Sequence, residues 1–229
     1  MKKIISGVLI LVGLVLISLP LIQNKLISDK TENVNRTLKD IAYEDIKRNT
    51  DTQDREDVEF EYEAIEDVSP TNVIFGTMNF DEKNIIGQLS IPDLNIDLPL
   101  LKGLTNSNLA VGVTTMRKDQ NMGEGNYPVS GHNMKNKSLL FGSLMDIEVG
   151  SKAYITDKNT VYEYEIYDIE VVEDTAMYMI EDSQSEKAGG PILSLMTCYH
   201  SSKSGKRFFA LGELVDEYSY EDMEMKQDI

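Results

Sequence analysis

The fold is decided by the stretch from residue 191 to residue 215, which reads PILSLMTCYHSSKSGKRFFALGELV. Its two apolar runs, 191–197 and 208–215, have the length of strands and are bounded by segments rich in Gly or Ser. The loop between them is polar. We therefore predict two strands joined by this loop, with Cys198 at the end of the first strand and Arg207 at the start of the second.

Three further apolar runs extend this pattern. Residues 85–91 and 96–101 are separated by a Pro-Asp pair, so we expect two strands and a tight turn, with Pro99 ending the second strand. In the run 161–172 the apolar face changes by one position near Ile166. Such a change of phase indicates a bulge or bend, as in a strand that curls around a barrel.

Helical patterns are weak in this part of the chain. Residues 107–113 and 139–145 are the candidates for short helices. Several short strands at close spacing favour a closed barrel or a sandwich over a layered α/β fold. We predict a mainly β domain.

The composition excludes several classes of function. The chain has 229 residues, 22 Lys and Arg against 39 Asp and Glu, and a net charge of −17, so we expect no nucleic-acid partner. One Cys and two His provide neither an internal disulfide nor a structural zinc site of four Cys and His ligands.

The N-terminus has the pattern of a membrane anchor. Lys2 and Lys3 precede 19 uncharged residues, 4–22, which as a helix span about 28 Å, close to the hydrocarbon thickness of a bilayer. We predict an uncleaved single-pass anchor within 1–27, with the N-terminus cytoplasmic and the chain after Lys25 outside. A cleaved signal peptide is the alternative, but no Ala-x-Ala-like site follows the run.

Acidic segments flank the predicted domain. Residues 28–70 read as a solvated linker, since 51–67 alone contain nine carboxylates and one Arg, with some helix near 34–46. An acidic ligand for calcium or for a basic partner is the alternative. The tail, 217–229, is also acidic, which leaves 71–216 as the domain.

The lone cysteine is the first candidate for chemistry. An exported chain with one cysteine either buries it as an apolar residue or uses its thiol. A thiol nucleophile needs a proton-transfer partner and a group that stabilises an oxyanion. We prefer His132, which follows a predicted strand end, because an extended strand would hold His200 about 7 Å from Cys198.

Arg207 can stabilise the oxyanion, because the loop between the two strands can bring its guanidinium toward the Cys198 sulfur. Each candidate also has an ordinary interpretation: an inert buried thiol, a structural imidazole and a solvated arginine. Cys198 and His200 as a metal pair would supply two ligands, which do not make a site.

Taken together, these residues resemble the sortases, the membrane-anchored cysteine transpeptidases of Gram-positive cell walls. The family's Thr-Leu-x-Thr-Cys signature is present at 194–198 as SLMTC, its Gly-His at 131–132, and its Arg in 206–209, KRFF. The segment 122–127, MGEGNY, resembles the housekeeping class A branch. The resemblance covers residues 85–215, and Ser194 replaces the family's Thr.

The resemblance implies a closed eight-stranded β-barrel with a few short helices. It implies that Cys198 attacks the Thr–Gly carbonyl of a Leu-Pro-x-Thr-Gly sorting signal on a secreted protein. His132 would protonate the leaving amine, and Arg207 would hold the substrate and its oxyanion. The amine of a lipid-linked peptidoglycan precursor would then resolve the thioester.

The resemblance also suggests substrate contacts, which we assign to Thr197, Met196, Ser130, Phe209 and Leu211. Some class A relatives bind calcium through the loop before the histidine. Here that loop, 117–124, reads RKDQNMGE, in which two cations stand where carboxylates would be needed. We therefore expect no calcium requirement, no metal site and no cofactor.

Two other functions are compatible with the sequence. A membrane-anchored cysteine peptidase would share the nucleophile and the base but let water resolve the thioester. A non-enzymatic surface domain would only bind a partner, and it would not need Cys198.

Overall fold

The computed structural model describes residues 2–51, 58–60, 62 and 81–222, and within them eight strands close into a barrel. The strands are β1 (Ile85–Ile91), β2 (Ile96–Leu101), β3 (Val113–Thr115), β4 (Asn126–Ser130), β5 (Lys152–Thr156), β6 (Thr160–Glu173), β7 (Ile192–Cys198) and β8 (Lys206–Ser219). Their order around the barrel is β1-β2-β3-β4-β7-β8-β6-β5. The predicted fold class, mainly β with a closed eight-stranded barrel, is confirmed.

The helices are few and mostly short. They are α1 (Lys2–Asp40), α2 (Tyr43–Asp51), α3 (Asn106–Leu109) and α4 (Ser183–Ala188). Of the two predicted short helices, the first is found as α3 and the second only as a single 3₁₀ turn, Leu144–Asp146.

The predicted strands 85–91 and 96–101 have the bounds of β1 and β2. Pro99, however, lies inside β2 and does not end it. Proline removes one backbone donor, which is tolerated where that side of the strand has no partner. The neighbouring strand β3 pairs only with Leu100 and Leu101, so Pro99 lies beyond this pairing.

The predicted irregularity in the strand 161–172 is present in β6. Its register with β8 shifts between Glu163 and Tyr164 and again between Ile166 and Asp168. The bulges let this strand of 14 residues follow the curvature of the barrel. They explain why the apolar face changes along the sequence.

The N-terminal segment differs from the sequence prediction. Helix α1 continues without interruption from the apolar run to Asp40, and α2 follows it. Along α1 the side chains of Gln23, Ile27, Val34 and Leu38 are buried at helical spacing. Residues 28–40 and 43–51 are therefore helical with one face packed on the barrel, and the predicted solvated linker is wrong over this range.

Barrel lysines fix the C-terminal ends of both helices. Lys158 Nζ donates to the carbonyls of Leu38, Lys39 and Ile41 at 3.0, 3.0 and 2.8 Å. Lys102 Nζ donates to the Thr50 carbonyl at 2.6 Å. The last carbonyls of a helix lack intrahelical partners and carry partial negative charge, so an ammonium group stabilises them.

We predict that Lys158→Met loosens the docked helices. Loss of the three charge-assisted hydrogen bonds should lower the free energy of unfolding by about 1–2 kcal/mol and reduce hydrogen-exchange protection in α1. The control is Lys47→Met, which removes an exposed lysine of α2. Equal protection of α1 in both variants would contradict this role for Lys158.

Beyond α2 the structure describes little of the predicted linker. Phe60 forms a parallel bridge with Leu104, whose N–H donates to the Glu59 carbonyl at 2.9 Å. Residues 52–57, 61 and 63–80, which include the first ten residues of the predicted domain, lie outside the described residues, as do 223–229 of the tail. The tail prediction began at 217, but β8 continues to Ser219. The domain boundaries otherwise stay a prediction.

Candidate active site

Three neighbouring strands bring the predicted catalytic residues into one row. Strands β4 and β7 are parallel, with Ser130 level with Met196. Continuing this register by two residues places His132 level with Cys198, and parallel strands lie about 4.8 Å apart. On the other side of β7, Cys198 is the register partner of Arg207. The cysteine therefore lies between the histidine and the arginine.

Cys198 and Arg207 form a non-hydrogen-bonded antiparallel pair, the type in which the two Cα atoms lie closer together. The N–H of Tyr199 donates to its register partner Lys206 at 3.1 Å, so that pair is hydrogen-bonded. Antiparallel pairs alternate, and the next pair, Cys198 with Arg207, belongs to the type whose Cα atoms are about 4.5 Å apart. The sulfur and the guanidinium stem start from adjacent backbone positions.

The histidine follows the end of β4 and is held there by hydrogen bonds to β7. Gly131 N–H donates to the Met196 carbonyl at 3.1 Å, and its own carbonyl accepts from Thr197 Oγ1 at 2.8 Å. Asn133 Nδ2 donates to the Cys198 carbonyl at 3.1 Å. These hydrogen bonds continue the pairing of β4 with β7 past the end of β4, and they hold His132 opposite Cys198.

A groove opens at this row. His132, Cys198 and Arg207 all line it, and it encloses about 660 Å³ counted out to open solvent. Residue His132 is 7% exposed, whereas Cys198 and Arg207 are half-buried. Most of the remaining wall is apolar, and its members are Leu104, Leu109, Met116, Ala176, Met177, Ile180, Met196 and Phe209.

The predicted substrate-contact residues fall into two groups. Met196, Phe209 and Ser130 line the groove. Thr197 and Leu211 are not among the described residues that line the groove. The Thr197 hydroxyl is fully buried on the Gly131 carbonyl, and Leu211 packs in the apolar cluster behind Met196 and Phe209. These two side chains support the wall from behind.

The second histidine is placed differently. His200 has a left-handed backbone with φ of 62°, and its ring packs on Tyr199 with centroids 4.2 Å apart. Among the described residues that line the groove, His200 is not present. The preference for His132 agrees with this geometry, while the catalytic roles themselves stay a prediction.

Tyr62 is a groove residue that sequence reasoning missed, because it lies in the predicted linker. Its hydroxyl donates to the Met116 carbonyl, and its ring lines the groove. Burial raises the pKa of Tyr62, and Arg117 partly opposes this effect. No local pattern in the acidic segment distinguishes this tyrosine from its neighbours.

The loop before the histidine is held by ion pairs. Arg117 Nη2 lies 3.0 Å from Asp182 Oδ1, which also accepts the Asn126 N–H at 3.0 Å. The Asn126 hydrogen bond, followed by Arg117, lowers the pKa of Asp182. This carboxylate therefore stabilises the fold above its usual pKa, and the effect is lost as the pH falls through the lowered value. The expectation of no calcium requirement stays a prediction.

Comparison with known proteins agrees with the site. A family model described as Sortase domain matches residues 89–215. Over 214 residues the chain is 35% identical to Sortase A of Listeria monocytogenes serovar 1/2a and 32% identical to Sortase A of Bacillus anthracis. These alignments cover 93% of this chain, with 91% of the first relative and 94% of the second.

Solved structures show the same fold. Sortase A of Listeria monocytogenes is similar with a TM-score of 0.55 at 35% identity, over 59% of this chain and 90% of that chain. Sortase C-3 of Streptococcus pneumoniae is similar in fold, with a TM-score of 0.62 at 18% identity, over 86% of this chain and 96% of that chain.

The chain belongs to the sortase family, and it is a cysteine transpeptidase. Within the family it is a class A sortase, as its Sortase A relatives indicate. The resemblance stated from the sequence motifs is thereby confirmed.

We predict that Gly131→Ala impairs turnover. A Cβ at this position would lie 2.5 Å from Phe141 Cδ2, so either the ring or the backbone that carries His132 must shift. A displacement of about 1 Å at a catalytic group can cost on the order of 100-fold in rate. We expect kcat for a sorting peptide to fall by about 10- to 100-fold.

The matched control is Gly190→Ala, whose added Cβ meets nothing within 4 Å. It should leave kcat unchanged. If Gly131→Ala retained full kcat, the close packing of Phe141 against residue 131 would not be what positions the histidine.

Proposed function

We propose that this sortase cleaves a Leu-Pro-x-Thr-Gly sorting signal between Thr and Gly and transfers the protein to the amine of a lipid-linked peptidoglycan precursor. The observation that carries the proposal is the row of His132, Cys198 and Arg207 at the mouth of one groove. A nucleophile between a proton-transfer group and a fixed cation is the arrangement that acyl transfer requires.

In the first half of the reaction the Cys198 thiolate attacks the threonine carbonyl carbon. The guanidinium of Arg207 stabilises the oxyanion, since it keeps its charge and can offer two N–H groups to one oxygen. When the C–N bond breaks, His132 donates a proton to the departing glycine amine. The product is a thioester between the protein's threonine and Cys198.

In the second half the precursor amine attacks the thioester. His132 accepts the proton that the amine loses as the new C–N bond forms. The C–S bond breaks, and the sulfur leaves as the thiolate that the next cycle uses. Atoms and charges balance without an added cofactor.

The walls of the groove support an apolar peptide as the substrate. Met116, Met196 and Phe209 are almost completely buried, and they form a surface beside Cys198 that suits leucine and proline side chains. Burial of the leucine and proline side chains binds the sorting signal to the groove. His132, Cys198 and Arg207 then act on the threonine carbonyl of the bound signal.

The experiment supplies a Leu-Pro-x-Thr-Gly peptide with and without an amine acceptor and identifies the products by mass. Transfer predicts a product that contains the amine, formed at the expense of the hydrolysed acid. A cysteine peptidase would give the acid alone at any amine concentration. A binding domain would give neither product.

We also propose a single-pass topology with the N-terminus in the cytoplasm and the barrel outside. The exposed apolar run of α1 and the lysines before it support this orientation. Protease added to intact cells should degrade the barrel while sparing a tag placed before Lys2. Protection of the barrel would contradict the orientation.

A further inference from the structure

The strand directions place the active site at one end of the barrel. Strands β4 and β7 end, and β8 begins, at the end where β1 turns into β2. We call this the catalytic end, defined by the turn Pro92–Leu94 and the segments 131–145 and 199–207. The opposite, distal end contains the β5–β6 turn, 157–159, and the start of β1 at Ile85.

Helix α1 crosses the barrel from the catalytic end to the distal end. Ser28 and Thr31 line a cavity together with Asn95 and residues 137–140, which belong to the segment that follows His132. The last turn of α1 is bound by Lys158 of the distal turn. The apolar part of α1, 4–22, therefore leaves the barrel at its catalytic end.

No flexible spacer separates the apolar run from the docked part of α1. The run ends at Ile22, the next residue, Gln23, is already buried, and Ile27 one turn later packs in the barrel core. At 1.5 Å per residue Ser28 stands about 9 Å beyond the end of the run. The polar layer on each side of a bilayer is about 5–8 Å thick. With α1 along the bilayer normal, the catalytic end would stand at the height of the lipid headgroups.

The charge of the catalytic end fits this position. The segments 131–145 and 199–207 together carry five Lys and Arg residues and no Asp or Glu. The acids of this end lie elsewhere, with Asp93 in the turn and Glu173 and Asp174 in the groove wall. Lys135, Lys137 and Lys203 are exposed, and Lys137 pairs with Asp146. Each basic side chain near an anionic membrane surface contributes about 1 kcal/mol of attraction.

We propose that the catalytic end of the barrel rests on the phospholipid headgroups and that anionic lipids bind its exposed lysines. The continuous helix α1, together with the lysine-bound C-terminal ends of α1 and α2, holds the barrel in this orientation. The thiol then lies close to the membrane surface, where a lipid-linked acceptor presents its amine. The inference rests on the proposed single-pass topology.

The test uses the full chain reconstituted in vesicles of phosphatidylglycerol and phosphatidylcholine in equal amounts. The single native cysteine allows labelling at one site after Cys198→Ala, with Ser138→Cys at the catalytic end or Asn159→Cys at the distal end. Both positions are exposed. A bimane label is then quenched by lipids that carry a nitroxide on the headgroup, which acts only at short distance.

By the rise of α1, position 138 lies about 10 Å from the hydrocarbon edge and position 159 about 25 Å. We expect strong quenching of the label at 138 and weak quenching at 159. Equal quenching at the two positions, or stronger quenching at 159, would overturn the proposed orientation.

A second comparison isolates the charges. The triple variant Lys135→Gln, Lys137→Gln and Lys203→Gln should reduce quenching at 138, whereas Lys39→Gln, Lys47→Gln and Lys83→Gln at the distal end should not. Equal quenching in the two triple variants would show that headgroup charge plays no part. It would overturn the lysine contact.

Transfer of a soluble sorting peptide by the unlabelled wild-type chain in detergent is measured in parallel. Transfer in detergent together with equal quenching at 138 and 159 would reject the orientation and leave the transpeptidase function standing. Stronger quenching at 138 without any transfer would support the orientation and count against the function.

Discussion

Cys198→Ala should abolish both cleavage and transfer of a sorting peptide while leaving the fold intact. The sequence contains no other thiol, and removal of a nucleophile costs on the order of 10⁴-fold or more in rate. The side chain is only half-buried at a strand end, so its truncation should barely change the thermal unfolding temperature. Turnover is followed with a peptide whose fluorescence rises on cleavage.

Val215→Ala provides the control, because it truncates an exposed residue of β8 away from the groove. It should retain wild-type turnover. Activity of the Cys198→Ala variant above one-tenth of wild type would mean that the thiol is not the nucleophile, and the non-enzymatic or an alternative catalytic account would then be preferred.

Arg207→Ala should give the second largest loss, on the order of 10²- to 10³-fold in kcat, as expected for removal of an oxyanion-stabilising donor. Arg207→Lys should recover part of the activity. An ammonium keeps the charge but cannot offer the planar pair of donors. Because the interaction is made mainly in the transition state, kcat should change more than KM.

Lys206→Ala is the matched control on the adjacent residue, whose side chain is exposed. It should change kcat little. A loss confined to KM in Arg207→Ala would assign the guanidinium to substrate binding alone, and an equal loss in both variants would point to the loop and not to the guanidinium.

Much of the barrel could be predicted from apolar runs. Strands β1, β2, β6, β7 and β8 each contain a run of alternating or continuous apolar residues bounded by turn residues. Strand β3 has three residues and pairs with two residues on each neighbour. Such a short element carries no periodicity, and its pairing is decided by the tertiary fold.

The docking of the N-terminal segment on the barrel was harder to predict from the sequence, because charged residues dominate the composition of this segment. Only a few apolar residues, among them Ile27, Val34 and Leu38, make its contact with the barrel. They are spaced on one helical face, so a small number suffices to dock α1 once Lys158 binds its last carbonyls. Composition alone does not reveal a docking stripe of this kind.

The site was predictable in part. The strand–loop–strand arrangement of 191–215 indicated that Cys198 and Arg207 would be neighbours, and the apolar strand before His132 indicated a strand end. The resemblance also indicated Ser130, Met196 and Phe209, which line the groove, but the remainder of the wall could not be predicted. This remainder combines Tyr62, Leu104 and Met116 from separate parts of the chain, which only the closed barrel brings together.

The most direct test of the acyl-transfer mechanism is an intact-mass measurement of the full chain after exposure to a Leu-Pro-x-Thr-Gly peptide without an amine acceptor. The mechanism predicts a mass increase equal to the peptide up to its threonine, located on Cys198 and removed when an amine is added. An unchanged mass in the presence of cleaved peptide, or an adduct on another residue, would contradict it.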